Sequence, residues 1–156
     1  MKKITIMLGV IFILLVGLAV YFFVGGTLNA QIKTLTANAA EYPDAFNSIR
    51  NVLESGSAPQ YFSTSGLGEA GQYTLVDVTI SLKNPGLFAA EWLDVQVQGV
   101  SGDVAVYSLT GAAGSIDARS TGQINLKLIT TADPNAIRAY QIQYYVYGMK
   151  RTITVS

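Results

Sequence analysis

The run that opens at Ile4 and closes at Val24 is apolar without interruption. Past Lys2 and Lys3 the chain carries no charge until Lys33. At about 1.5 Å of rise per residue, roughly twenty residues cross a hydrocarbon layer of about 30 Å. A helix apolar on every side for this length suits a bilayer better than the surface of a small soluble domain. The run also exceeds the apolar region of about 7–15 residues found in cleaved signal peptides. Of the small-x-small sites downstream, Leu28-Asn29-Ala30 has a bulky residue where a small one is preferred, and Ala37-Asn38-Ala39 lies far beyond the run. An uncleaved anchor is therefore expected, with a secreted domain released by signal-peptide cleavage as an alternative. Lys2, Lys3 and the terminal amine stand on one side only, so the expected topology is single-pass in the cell membrane, N-terminus in, C-terminal domain outside the cytoplasm. Tyr21, Phe22 and Phe23 fall where an aromatic belt would sit.

Charge narrows what the exported part can bind. Ten Lys and Arg less Lys2 and Lys3 leaves eight basic residues, set against ten acidic ones, all after Thr27. That balance offers no electrostatic footprint for nucleic acid. The chain has no Cys and no Asn-x-Ser/Thr site, so neither disulfides nor N-glycans support the exported domain. Such a domain fits a bacterial or archaeal envelope and must be held by its core alone.

Residues 27–40 are mixed in character, with Ile32 and Leu35 giving a weak apolar edge, and read as a linker or as an outward extension of the first helix. A second helix is expected over 43–54. Pro43 suits a first turn, Glu41 and Asp44 lie at the positive end of the dipole, and Phe46, Ile49, Val52 and Leu53 recur on one face. Gly56 stops it. Residues 55–72 read as a loop, with Tyr61-Phe62 buried against the domain edge. From Tyr73 the period becomes two. Val76, Val78, Ile80 and Leu82 form the clearest half-buried strand, and Asn84-Pro85-Gly86 turns the chain. Strands follow around Leu93, Val95 and Val97, over 103–109, over 122–130, over 138–147 and over 152–156, with 115–118 as a short edge piece. Val104 and Val106 are assigned to one face, and Gly148-Met149 to a turn. The expected fold is mainly β: an N-terminal transmembrane helix, a short amphipathic helix and an antiparallel immunoglobulin-like sandwich of six to seven strands. The expected divisions are an anchor over 1–26, a helical and loop connection over 27–72 and the sandwich over 73–156.

The stretch Val78-Thr79-Ile80-Ser81-Leu82-Lys83-Asn84-Pro85-Gly86, followed by a strand beginning near Trp92, resembles the strand, Asn-x-Gly turn, strand opening of immunoglobulin-like sandwiches in prokaryotic envelope proteins. CARDB-type adhesion modules and water-stress (late-embryogenesis-abundant) sandwich domains share it. The resemblance covers about the last half of the chain and implies a fold, not an activity. The order of apolar helix, helical extension and β-domain is also similar to type IV pilin-like and archaellum accessory subunits. Only three residues precede the apolar run, however, and it lacks an acidic residue near its start.

With neither His nor Cys, the usual bases, nucleophiles and transition-metal ligands are missing. Glu91, Asp94 and Asp103 are the carboxylates weighed for a glycosidase pair, and Asp94 with Asp103 for a calcium site. Solvated strand carboxylates account for them as well. No catalytic residue, cofactor or metal is expected. The candidate protein-contact surface is Tyr145, Tyr147 and Trp92, since an aromatic side chain offers an apolar body with a polar tip. The function expected is a membrane-anchored binding or scaffolding protein without catalysis. A structural subunit of a pilin-like or secretion-type assembly, homo-oligomeric through its anchor, is the alternative. The expected partners are membrane lipid around the helix and another envelope protein.

Overall fold

The computed structural model describes residues 2–24, 26–64, 66–112 and 114–156. The side chains of Lys2, Lys3, Phe22, Phe23 and Val24, and the whole of Gly25, lie outside that description, and with them part of the expected basic start, aromatic belt and glycine exit. The apolar run forms α1 (Lys2–Val24). Its window Ile4–Tyr21 is long and apolar enough to cross a membrane, and none of it is buried against the rest of the chain.

The β-region is two antiparallel sheets. The first has the order β1 (Asn29–Asn38), β3 (Thr74–Lys83), β6 (Thr121–Thr130), β5 (Asp103–Thr110), β2 (Gln60–Tyr61). The second has β4 (Glu91–Gln98), β7 (Ala139–Val146), β8 (Met149–Val155). With the two-residue β2 set aside, four strands face three in the immunoglobulin constant-type order. Alternation places the core: Val76, Val78, Ile80 and Leu82 from β3 and Ile124, Leu126 and Leu128 from β6 meet Leu93, Val95 and Val97 from β4 and Tyr140, Ile142, Tyr144 and Val146 from β7.

The second helix, α2 (Pro43–Glu54), forms over the expected residues, and Gly56 at φ 70° ends it. It covers the outer face of the first sheet at the end away from α1. Phe46 and Ile49 there join Ala39, Tyr73, Val104, Ala105 and Ile129 in a smaller core.

Several expectations need correction. Residues 27–40 are neither linker nor helical extension. They hold β1, paired with β3 in unbroken register from Asn29↔Lys83 to Asn38↔Thr74. The sandwich therefore begins near residue 29 rather than 73, and with the two-residue β2 counted its strands number eight. An edge strand buries little, so only Ala30 and Ile32 pack partly against the core and the apolar alternation is weak. In β5 the ladder to β6 slips between Asp103 and Ala105 and again between Val106 and Ser108. These bulges put Val104 with Ala105 under α2 and Val106 in the main core, not Val104 with Val106. Residues 115–118 supply a single bridge, Ala90↔Ile116, rather than a strand. The β7–β8 turn is Tyr147-Gly148, with φ 55° and 69°, the two left-handed positions of a type I′ hairpin. Of the aromatic pair, Tyr61 is exposed and Phe62 packs against the core.

The Asn84-Pro85-Gly86 turn is held by Asn84 itself, which is 1% exposed. Its Nδ2 donates to the carbonyls of Phe88 (2.8 Å), Ile116 (3.1 Å) and Asp117 (3.2 Å), and its Oδ1 accepts from the Gly86 N–H (3.0 Å). Asn84→Asp would aim a carboxylate at three carbonyls. A loss of at least about 1–3 kcal/mol, the cost of one stranded buried group, is expected in thermal or denaturant unfolding. Unchanged stability would show that the turn does not depend on this amide.

Candidate functional site

The sandwich has two distinct ends, and α1 joins at one of them. Pairing of Asn29 with Lys83 and of Lys83 with Thr121 places the loop 84–90 and the loop before β6 at this end. Pairing of Glu91 with Tyr145 and of Val146 with Met149 adds the start of β4 and the β7–β8 turn.

The join is closely packed. Gly26 is buried against Val146, where an added Cβ would come within 3.4 Å of a valine methyl. Leu28 is 3% exposed in the main core. Between them stands the hydroxyl of Tyr144, fully buried, which donates to the Gly26 carbonyl (3.1 Å) and accepts from the Leu28 N–H (3.0 Å). Burial pushes the Tyr144 phenol above its ordinary pKa of 10.0 against smaller lowering effects from the Leu28 bond and Arg151, so it stays a neutral donor. Gly26 is thus a packed residue rather than a free exit. Tyr144→Phe keeps the ring but strands the Leu28 N–H and the Gly26 carbonyl. It is expected to cost about 1–3 kcal/mol, read as a lowered Tm of the full chain in detergent, with faster amide exchange around residues 26–28. Wild-type exchange there would count against the clamp.

All three residues of the expected contact surface fall at this same end. Trp92 is the extra residue of a bulge between Glu91 and Asp94, at φ 54° and 71% exposed. The bulge turns it away from the core, where immunoglobulin domains keep their strand-C tryptophan. Tyr145 lies opposite Glu91 and is 37% exposed. Tyr147 occupies the hairpin turn, and its ring centroid is 3.8 Å from that of Phe88. Leu87 and Met149 are exposed nearby. A crevice of only ≈ 10 Å³ lies among Tyr21 of α1, Gly26, Leu87, Phe88, Val146 and Tyr147. Residue type was enough to group Tyr145, Tyr147 and Trp92 as one contact surface, but nothing in the sequence placed that surface beside α1.

The carboxylates are dispersed. Glu91 and Asp94 are exposed on β4, whereas Asp103 is 4% exposed at the opposite end. There Arg138 Nη2 approaches Asp103 Oδ1 at 2.7 Å, and Nε reaches both carboxylate oxygens at 3.2 and 3.0 Å. The Val100 N–H adds a bond at 2.9 Å, and Arg138 Nη1 donates to the Ala136 carbonyl at 3.1 Å. This pair joins the β4–β5 turn to the segment entering β7. It carries no open coordination position, and among the described residues no three acidic side chains cluster as metal ligands would.

Wider grooves lie elsewhere on the domain, and two of them bear on its surface chemistry. One, of ≈ 320 Å³, includes Gln60, Val97 and Leu109 in its walls. Gln60 acts there as a false strand: its amide donates to the Val97 carbonyl (2.7 Å) and accepts from the Val97 N–H (3.0 Å), satisfying the free edge of β4. The other, of ≈ 500 Å³, crosses the outer face of the first sheet between Leu35, Tyr42, Leu75 and Tyr107. Burial first, and then the Asp77 carboxylate, push the Tyr107 phenol up to about 12, leaving it a neutral hydrogen-bonding group in the groove wall.

Geometry thus defines a class: a two-sheet antiparallel sandwich of immunoglobulin constant-type order carried directly on an apolar N-terminal helix. No family model matches the chain, and no curated protein matches it. Among solved structures, a FixG-related protein from Vibrio parahaemolyticus is similar at a TM-score of 0.35 and 11% identity, over 81% of this chain and 92% of that one.

Proposed function

We propose that this chain is a single-pass membrane protein, N-terminus in the cytoplasm, whose sandwich stands outside it as a non-catalytic binding or scaffolding module for other envelope proteins. The observation that carries this reading is the Tyr144-clamped junction. It fixes Gly26 and Leu28 to the sandwich core, so the folded domain begins within a few residues of an apolar helix with no burial of its own, and whatever the sandwich holds is held close to the membrane. The same junction speaks for an uncleaved anchor. Cutting after Ala30 would strip Leu28 from the core and the first residues from β1, and cutting after Ala39 would remove β1 altogether. The assembly-subunit alternative loses its main support, because the helical extension that a pilin-like layout calls for is β1 here.

The chain has no cysteine, so a single one introduced at Thr64 or Ser156 is a unique handle. Labelling by an impermeant maleimide on intact cells is expected at both positions, and labelling only after lysis would overturn the topology. For the binding role, a photocrosslinker at Leu35 or Tyr42 is expected to capture the same envelope partner with native α1 and with an unrelated span in its place. Self-crosslinks alone, dependent on native α1, would favour the assembly subunit.

A further inference from the structure

We propose that the α1 end of the sandwich is itself seated in the headgroup layer of the bilayer, with Leu87, Trp92, Tyr147 and Met149 as its lipid contacts. The inference rests on the membrane-anchored reading above and adds a second membrane-binding surface to it. The first argument is one of length. The window Ile4–Tyr21 has 18 residues, which at about 1.5 Å each gives about 27 Å, close to the hydrocarbon thickness. From Tyr21 the helix rises about 5 Å further to Val24, and the two residues on to Gly26 add at most about 7 Å, against a headgroup layer about 5–8 Å deep. The buried Gly26 therefore stands no more than about 12 Å beyond Tyr21, so the domain begins at the edge of the headgroup layer. Tyr21 also lines the same small crevice as Leu87, Phe88 and Tyr147, so these residues share the depth of the helix end.

The second argument is chemical. This end exposes Trp92 by 71%, Tyr147 by 55%, Leu87 by 47% and Met149 by 39%, and holds the chain's single tryptophan. Amphipathic Trp and Tyr rings are the side chains that partition to the membrane interface. Among the described residues, the three non-glycines at positive φ, Trp92, Arg119 and Tyr147, all lie at this end. Bulky residues rarely adopt that conformation, and at Trp92 and Tyr147 it accompanies outward-facing rings. The charges of the end, Lys83, Arg119, Lys150 and Arg151 against Glu91 and Asp117, leave a small positive excess. Insertion of the exposed Trp92 and Tyr147 rings is the contact expected, and zwitterionic vesicles test it apart from attraction to anionic lipid.

Because Trp92 is the only indole, the fluorescence of the full-length chain in phosphatidylcholine vesicles reads this surface alone. The expected result is a blue-shifted emission, quenched by lipids brominated near the headgroup end of their acyl chains and protected from aqueous acrylamide. Tyr147→Ser combined with Met149→Ser should weaken the bromolipid quenching. Emission at the wavelength of a hydrated indole, open to acrylamide and insensitive to bromolipid, would overturn the proposal. So would shielding from both quenchers, which would mean coverage by protein. Extraction of the chain by carbonate would instead defeat the anchored reading itself, so the two failures are distinguishable.

Discussion

Asp103→Asn is expected to destabilise the sandwich by about 3–5 kcal/mol, because it leaves the Arg138 guanidinium buried without its counter-charge. Both side chains are almost wholly shielded from water (2% and 0%), so solvent cannot take over. Removing both partners together, as in Asp103→Leu with Arg138→Met, should cost less than the single change, since no stranded charge remains. The pH dependence has a defined sign. Burial alone would raise the Asp103 carboxyl. The bonds from Arg138, from the Val100 N–H and from Thr130 outweigh it and hold the group below its ordinary 3.8. The folded state therefore binds this proton less readily than the unfolded state does. The stabilisation is complete above pH 3.8 and is lost as pH falls through the folded value. Denaturant titrations of wild type and Asp103→Asn at neutral and acid pH check both parts: the difference should be large at neutrality and shrink in acid. A single mutant as stable as wild type at neutral pH would refute the role assigned to the pair.

A chain beginning at residue 41, which lacks α1 and β1 but keeps α2 and seven strands, is expected not to fold cooperatively. It loses Leu28, Ala30 and Ile32 from the main core. Fully burying one aliphatic side chain contributes about 1.5–3 kcal/mol, so these three, two of them partly buried, contribute about 3–6 kcal/mol together. It also bares the ten-residue edge of β3, an open template for aggregation. Against a typical total of about 5–15 kcal/mol, that loss is decisive. A chain beginning at Gly26 keeps all three side chains and should fold. Circular dichroism melts and NMR shift dispersion separate the cases, and a sharp transition in the shorter chain near that of the longer one would show that β1 is dispensable.

The contrast between β3 and β1 shows what a strand pattern can reveal. In β3 four consecutive inward positions are aliphatic because a central strand is packed by its sheet neighbours and by the opposite sheet. In β1 the inward positions run Ala30, Ile32, Thr34, Thr36, because an edge strand is held chiefly by its backbone ladder. A ladder leaves almost no trace in side-chain type. The extents of α2 were legible because Pro43, the Phe46/Ile49 spacing and Gly56 are local signals. The Asn84-Pro85-Gly86 turn was legible as a turn, but not as the knot that ties three carbonyls from two segments. Of the aromatic residues at the α1 end, the types and a shared surface were legible, and its place beside α1 was not.

Sequence alone determined that the chain has one helix fit for a bilayer, a short amphipathic helix and a β-sandwich without thiol or imidazole chemistry. These follow from composition and from periods of 3.6 and 2, which are local properties. Tertiary structure decided everything that depends on residues far apart. It recruited residues 29–38 to the sheet, paired Asp103 with Arg138 across 35 positions, and set the Tyr144 hydroxyl between Gly26 and Leu28 more than a hundred residues away. Each of these is a hydrogen-bonded arrangement whose stability comes from excluding water, and only the closed fold supplies that exclusion.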